Sequence, residues 1–256
     1  MRDILLHKNQ MDRPVDCKGE NMTYVISDLH GISLKKFQDL LACAGFSGED
    51  DLFVLGDTID RGKNGVELLL WMMEQANVFH LLGNHEAMLL SVAPALFKTC
   101  EEIGQDDLAG GTMDILSAML FNGAEPTLTA LRELFRKSPE RVEELLDYMR
   151  DMPLYDSVEV NGMTYLLVHA GLGNFKAGKK LSQYTTDELL WHRPEPDEVY
   201  SLGDDVKVIF GHTPTAYYGK NGTFMETETW CCIDTSNTGP TLLRLDDWSV
   251  FHICGE

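Results

Sequence analysis

Five short apolar runs in this chain each end in a glycine-flanked aspartate, asparagine or histidine, and this repeated ending strongly constrains the fold. The runs are rich in β-branched and aromatic residues, which favours strands over buried helices. Helical patterns separate the first three runs, so the chain opens β-α-β-α-β, an order typical of parallel strands joined by crossover helices. Ligands of such sheets bind beyond the carboxyl ends of the strands, so we expect the endings to form one rim. The endings are Asp28-Leu29-His30-Gly31, Gly56-Asp57-Thr58-Ile59-Asp60-Arg61-Gly62, Gly83-Asn84-His85-Glu86, Val168-His169-Ala170-Gly171 and Gly211-His212-Thr213-Pro214.

The same patterns predict an α/β fold, and the β-rich stretch from residue 206 onward indicates a second sheet. The predicted strands are 23–27, 52–55, 77–82, 163–168, 206–210, 229–234, 241–245 and 249–253. The predicted helices are 33–43, 64–75, 86–97, 127–136, 139–150 and 186–191.

Residues 98–150 interrupt this alternation of strands and helices. Their pattern is mostly helical and the chain returns to strands after them, so we predict a helical cap inserted into a single domain that spans 22–256. Residues 1–21 are polar and lack any periodicity, and we predict a loosely held N-terminal extension there.

The acidic composition limits the partners that the chain can bind. It has 21 lysines and arginines against 41 aspartates and glutamates, a formal net charge of −20 at pH 7. Nucleic acids and anionic membranes both attract basic surfaces, so we expect neither as a partner. No apolar run reaches the roughly 18–20 residues of a membrane span. None of the six cysteines forms a C-x-x-C pair. We therefore predict a cytoplasmic protein with reduced thiols.

Several of the endings carry residues that suit a metal ion. Asp28 and His30 are two positions apart, so both side chains point the same way while the chain is extended. A set of oxygen and imidazole ligands without thiolate suits an ion of manganese, iron or zinc. It does not suit a structural zinc site, which usually contains cysteine thiolates. The histidines at glycine-flanked strand ends are His30, His85, His169 and His212. Together with the carboxylates, they predict a metal centre at the rim.

In this order, the five endings resemble the signature of the calcineurin-like metallophosphoesterases. Within that superfamily the chain resembles the phosphoprotein phosphatase branch, in its compact bacterial and phage form. The resemblance runs from about residue 22 to residue 254, nearly the whole chain. It implies a two-sheet β-sandwich flanked by helices, with the helical cap as an insertion.

The resemblance also implies which residues would hold metal. Two divalent ions, manganese in first place with iron or zinc as alternatives, would be bridged by Asp57 and would activate a water for direct attack on phosphorus. Asp28 and His30 match the other ligands of the first ion. The other ligands of the second ion are matched by Asn84, His169 and His212.

Further matches concern the proton donor and the substrate phosphate. His85 matches the proton donor, and Asp60 matches the carboxylate that orients it. Arg61 matches a phosphate-binding arginine, and a Trp-x-Arg segment that ends at Arg193 resembles a second one. Asn84 would also contact a phosphate oxygen.

The substrate is left open between two classes. The leading interpretation is a serine/threonine protein phosphatase that acts on phosphorylated proteins or small phosphoesters, because the related dinucleoside polyphosphate hydrolases typically lack the aspartate that matches Asp60. The alternative is such a hydrolase, with diadenosine tetraphosphate as substrate, which Leu82 favours because protein phosphatases usually carry arginine there. Asp234-Thr235-Ser236 also departs from the usual Asp-Thr-Gly.

Two further readings are weaker. A non-catalytic metal-binding scaffold is a minor alternative, because a fold alone does not confer activity. A nuclease is disfavoured by the acidic balance. The sequence contains no signal of the oligomeric state.

Overall fold

The computed structural model describes residues 21–97 and 111–253, which form two five-stranded sheets with helices outside them. In this part of the chain the strands are β1 (Thr23–Ile26), β2 (Asp51–Val54), β3 (Val78–His80), β4 (Tyr155–Val160), β5 (Met163–Val168), β6 (Val206–Phe210), β7 (Met225–Glu226), β8 (Trp230–Cys232), β9 (Thr241–Arg244) and β10 (Val250–His252). The α-helices are α1 (Leu34–Cys43), α2 (Gly65–Met72), α3 (Asn84–Leu96), α4 (Thr112–Phe121), α5 (Glu125–Lys137), α6 (Pro139–Arg150) and α7 (Thr186–Leu190).

The first sheet has the strand order β10-β9-β1-β2-β3. Strands β1, β2 and β3 are parallel, with Val25 opposite Phe53 and Phe53 opposite Phe79. Strands β9 and β10 join antiparallel beside β1, so the last strands of the chain complete the sheet that its first strands began. The predicted parallel opening is confirmed.

The second sheet has the strand order β4-β5-β6-β8-β7, with β5, β6 and β8 parallel and the two edge strands antiparallel. The predicted strand list lacked both edge strands. In β4 the side chains of Ser157 and Glu159 are exposed, so its sequence has no continuous apolar run. Strand β7 has only two residues, too few for any pattern.

The two sheets pack face to face around a shared apolar core, with helices on their outer faces. Val25 of β1 and Leu167 of β5 belong to this inner core. The next residues along these strands, Ile26 and Val168, point the opposite way, as the period of two requires. Ile26 packs under α1 and α2, and Val168 packs against Leu189 of α7. The α/β sandwich predicted from the sequence is therefore confirmed.

Helices α3 to α6 share a further apolar cluster, which contains Leu89, Met119, Leu131 and Leu145. The helical content predicted for the cap is present from residue 111 to residue 150, and residues 98–110 lie outside the described residues. The predicted extension 1–21 also lies outside them, except for residue 21. The domain limits therefore stay a prediction.

Two further features bear on the predictions. Helix α3 begins at Asn84, two residues earlier than the predicted start at 86, so Asn84 and His85 occupy its first turn. Within residues 21–97 and 111–253, no helix combines the length and the apolar character that a membrane crossing needs.

Candidate metal and catalytic site

Strands from both sheets end at one edge of the sandwich, and each of the five strand ends carries a predicted metal ligand. The side chains brought together there are Asp28, His30, Asp57, Asn84, His169 and His212. All six are buried. Because β1, β2 and β3 belong to one sheet and β5 and β6 to the other, the site exists only where the two sheets meet.

The carboxylate of Asp57 lies at the centre of this group. Its Oδ2 is 4.0 Å from His30 Nε2 and 3.7 Å from His85 Nε2. Its Oδ1 is 3.4 Å from His169 Nε2. Two sets of possible metal ligands share this carboxylate: His30, Asp57 and His85 on one side, and Asp57, His169 and His212 on the other.

The remaining predicted ligands contact these two sets. Asn84 Oδ1 is 2.9 Å from His169 Nε2 and 2.9 Å from His212 Nδ1. Asp28 Oδ1 is 3.7 Å from His30 Nε2, and its Oδ2 accepts a hydrogen bond from the backbone N–H of His212 at 2.9 Å. Each predicted ligand therefore faces at least one other.

The histidine hydrogen bonds leave nitrogen lone pairs facing oxygen atoms. His169 Nδ1 donates to a main-chain carbonyl at 2.6 Å, so in this tautomer the lone pair of Nε2 faces Asn84 Oδ1 at 2.9 Å. His30 Nδ1 also donates to a main-chain carbonyl, at 3.2 Å, and His212 Nε2 is buried without a hydrogen-bond partner. Lone pairs that face oxygens with no proton between them repel, whereas a divalent cation between them is coordinated. The donor set therefore fits divalent metal ions.

Burial and neighbouring charges set the protonation states in the site. Burial raises the pKa of Asp28 well above its usual value, and the charges of Asp234 and Asp57 raise it further. Burial also raises the pKa of Asp57, but the surrounding histidines outweigh burial and hold that pKa below its usual range. Burial lowers the pKa of His30 to about 4 and that of His212 to about 2. A neutral His30 and a neutral His212 beside an ionised Asp57 are states that metal binding requires.

The backbone of the site is held in an uncommon conformation. In the described part of the chain nine non-glycine residues have positive φ angles, and six of them belong to the site. Left-handed backbone is uncommon for such residues and clusters at functional sites. The six are Asp28, His30, Asp57, Asp60, Arg61 and His212. Each of the three strand ends that carry them, after β1, β2 and β6, therefore turns abruptly, which places polar side chains at the edge of the sheets.

Gly83 lets the start of α3 approach Asp57 closely. A Cβ atom at this position would overlap the backbone nitrogen and Oδ1 of Asp57 and a carboxylate oxygen of Glu86. We expect Gly83→Ala to lower the free energy of unfolding by about 1–3 kcal/mol, the usual cost of overpacking. It should also weaken metal binding, because Asp57 must move. Chemical denaturation and metal titration measure the two effects.

Gly48→Ala is the matched control for that substitution. A Cβ atom at this exposed turn would have nothing within 4 Å. The free energy of unfolding should therefore change by less than about 0.5 kcal/mol. Equal stability of the two alanine variants would contradict the close approach at Gly83.

His85 is held from behind by Asp60. His85 Nδ1 is 2.6 Å from Asp60 Oδ2, and both residues are buried. The other ring nitrogen faces Asp57. Burial alone would lower the pKa of His85, but the charges of Asp57 and Asp60 raise it above its usual value. The pair thus places a ring nitrogen that readily carries a proton beside the candidate metal site. The role of His85 as an acid stays a prediction.

The cap contributes to the position of Asp60. The backbone N–H of Asp60 donates to Thr127 Oγ1 of α5 at 2.9 Å, in a buried environment. Thr127→Val removes the acceptor and keeps the shape, so we expect the unsatisfied N–H to lower the free energy of unfolding by about 1–3 kcal/mol. Thr127→Ser keeps the hydroxyl and should retain most of the stability. Urea denaturation of both variants checks this, and a valine variant as stable as the serine variant would contradict it.

The two predicted phosphate-binding arginines are exposed beside the buried site. The backbone N–H of Arg61 donates to the carbonyl oxygen of Gly123, in the turn between α4 and α5, at 2.7 Å. Arg193 Nη1 donates to the carbonyl oxygen of His212 at 3.1 Å. The structure therefore brings both side chains to the rim, and their contact with phosphate stays a prediction.

Two buried carboxylates near the site were not among the predicted site residues. Glu86 accepts hydrogen bonds from the backbone N–H groups of Asp57, Thr58 and Ile59 at 2.9, 2.9 and 3.2 Å, so it fixes the turn that follows β2. Burial, followed by the charge of Asp57, raises the pKa of Glu86 to about 7. Glu86 ends the motif Gly83-Asn84-His85-Glu86, and Asp234 begins Asp234-Thr235-Ser236. The available sequence signal was therefore a carboxylate inside a motif already recognisable in the sequence.

The chain matches a family model over most of its length. The model, described as calcineurin-like phosphoesterase, matches residues 23–237. Among curated proteins, a symmetrical bis(5'-nucleosyl)-tetraphosphatase from Acidovorax ebreus (strain TPSY) is 32% identical over 196 residues, which cover 75% of this chain and 57% of that protein. The chain thus spans little more than half the length of this curated relative.

Solved structures also resemble the chain. A candidate diadenosine tetraphosphatase superposes with a TM-score of 0.61 at 16% identity, covering 92% of this chain and 94% of that chain. A protein serine/threonine phosphatase from Saccharomyces cerevisiae superposes with a TM-score of 0.53 at 17% identity, covering 92% and 81% respectively. At these identities the likeness shows a shared fold and nothing further.

Proposed function

The chain belongs to the calcineurin-like phosphoesterase family, and from this premise we propose that it hydrolyses dinucleoside tetraphosphates such as diadenosine tetraphosphate. Cleavage of the central phosphoanhydride bond would give two nucleoside diphosphates. The observation that carries the proposal is the 32% identity to a symmetrical bis(5'-nucleosyl)-tetraphosphatase over 75% of this chain. The match spans only 57% of that relative, so the substrate named for the relative is a proposal for this chain.

The residue before Gly83 supports the same substrate class. The backbone N–H of Leu82 donates to the carbonyl oxygen of Pro153 at 2.9 Å, and its side chain packs against the apolar cluster of the cap. The resemblance to phosphoprotein phosphatases leads one to expect an arginine here, and this chain has no cationic side chain at that position. We therefore prefer the dinucleotide alternative to the serine/threonine phosphatase that led the interpretation of the sequence.

The donor set fits two divalent metal ions. Asp28, His30 and Asp57 would hold one ion. The second would be held by Asp57, Asn84, His169 and His212. When bound, such ions polarise phosphoryl oxygens and lower the pKa of a water molecule. We propose manganese as the first choice, with iron and zinc as alternatives that the same nitrogen and oxygen donors accept.

The chain's own residues would bind the substrate and manage the proton. The guanidinium groups of Arg61 and Arg193 suit two-pronged contacts with phosphate oxygens, and the Asn84 amide would add a third contact. His85, oriented by Asp60, would protonate the oxygen of the departing nucleotide. The two arginines place positively charged groups beside the site, although the whole chain carries a net charge of −20.

A phosphoprotein phosphatase is the second candidate, and one observation favours it. Asp60 lies 2.6 Å from His85, whereas the dinucleoside polyphosphate hydrolases of this superfamily typically lack that aspartate. The non-catalytic scaffold is disfavoured, because every residue type expected of the site is present and the six predicted metal ligands are buried together.

Parallel turnover of diadenosine tetraphosphate and a phosphoserine peptide, by the purified full chain with Mn²⁺, tests the proposal. The dinucleotide reaction is followed by nucleotide chromatography, because its cleavage need not release phosphate. We expect the higher kcat/KM on the dinucleotide, with the nucleoside diphosphate as the only product. A higher kcat/KM on the peptide would favour the second candidate. Formation of AMP and ATP would contradict cleavage of the central bond.

A further inference from the structure

Trp191 stands exposed beside the candidate site, immediately after α7. Its side chain is 44% exposed, and it is the one tryptophan among the large apolar side chains that are exposed in the described residues. The centroid of its ring is 6.0 Å from that of His212, with the two ring planes at 83°. The indole thus offers exposed aromatic surface beside a predicted metal ligand.

The segment that carries Trp191 is fixed to the loop after β6. The guanidinium of Arg193 donates to the carbonyl oxygen of His212 at 3.1 Å. The hydroxyl of Tyr218 donates to the carbonyl oxygen of Pro194 at 2.8 Å. The backbone that follows Trp191 is therefore tied to this loop, and Trp191 lies two residues from an arginine predicted to bind phosphate.

We propose that Trp191 is the stacking platform for one nucleobase of the dinucleotide, an inference that rests on the proposed function. A nucleotide joins a flat aromatic base to an anionic phosphate chain, and this rim offers an open indole beside a guanidinium. Aromatic rings stack on any base, because every base has a π-face. Trp191 would therefore bind the base with little discrimination between adenine and guanine.

Inorganic tetraphosphate is the substrate that isolates this contact, because it has the phosphate chain and no base. In Trp191→Ala we expect KM for diadenosine tetraphosphate to rise about 5- to 150-fold, the range that corresponds to loss of one base stack. The kinetic constants for inorganic tetraphosphate should stay unchanged. Trp191→Phe keeps an aromatic face and should restore most of the affinity.

Calorimetry provides a second readout that does not depend on turnover. With Mn²⁺ present, Trp191→Ala should weaken binding of ADP, whereas binding of inorganic pyrophosphate should not change. Val199→Ala, at a residue 59% exposed and eight positions further along the chain, is the surface control and should bind both ligands as the unchanged protein does.

The possible failures are distinguishable. An equal loss on the dinucleotide and on inorganic tetraphosphate would mean that Trp191 acts by supporting His212, and would overturn the stacking role. Unchanged KM for the dinucleotide would overturn it too, as would a rise in KM confined to a phosphoserine peptide. Failure of the unchanged protein to cleave the dinucleotide would overturn the proposed function itself, and this inference with it.

Discussion

Asp57→Asn is expected to remove both metal binding and activity. The carboxylate lies between the two sets of possible ligands, with one oxygen facing His30 and the other facing His169. An amide offers one oxygen and no charge, so one set loses its oxygen ligand and both sets lose the negative charge. Replacement of residues that merely orient a ligand costs about 10- to 100-fold in metal affinity, and loss of a shared ligand should exceed about 100-fold. Metal analysis of the purified variant and a Mn²⁺ titration measure the effect.

Thermal denaturation separates this loss from misfolding. At a Mn²⁺ concentration 100 times the dissociation constant, a bound ion stabilises the unchanged protein by about 2.7 kcal/mol, which raises Tm by about 5–10 °C in a domain of this size. The metal-free Asp57→Asn protein should melt close to the metal-free unchanged protein. Its Tm should not rise when Mn²⁺ is added.

Asp39→Asn is the matched control, because Asp39 is an exposed carboxylate paired with Lys35 on the surface of α1. This variant should keep the full response to Mn²⁺. Full metal occupancy in Asp57→Asn would contradict the bridging position of Asp57.

The strands were predictable where burial leaves a continuous apolar run. Strands β1, β2, β5 and β6 are such runs, because each is covered on one face by the other sheet and on the other face by helices. The edge strand β4 exposes Ser157 and Glu159, and its place in the sheet comes from pairing with β5, which no local pattern displays. It was also predictable that the candidate ligands lie close together, because each of them follows a strand and the ends of these strands meet.

The contacts that the cap makes with the site were not predictable. Thr127 accepts a hydrogen bond from Asp60, and Gly123 accepts one from Arg61, although the cap lies far from both residues along the chain. A threonine hydroxyl and a glycine carbonyl carry no sequence signal of such a role. The cap therefore helps to hold in place the backbone of Asp60, the carboxylate predicted to orient His85, and that of Arg61, the arginine predicted to bind phosphate.

His85→Asn is expected to lower kcat by about 10²- to 10⁴-fold, the usual contribution of a general acid. Asparagine is the chosen replacement because its amide can still contact Asp60 while offering no proton near neutral pH. Metal content should stay close to that of the unchanged protein. Steady-state turnover of diadenosine tetraphosphate, with metal analysis of the same sample, measures both quantities. His252→Asn, at an exposed histidine of β10, is the matched control.

The metal content of His85→Asn decides between two roles that the geometry allows. His85 Nε2 is 3.7 Å from Asp57 Oδ2, and His85 forms a possible ligand set with Asp57 and His30. Loss of metal together with turnover would make His85 a ligand, and unchanged turnover would exclude the acid role. If His85 is the acid and Asp60 acts through it, the double variant His85→Asn/Asp60→Asn should be no slower than His85→Asn alone, because residues that act as one unit are not additive.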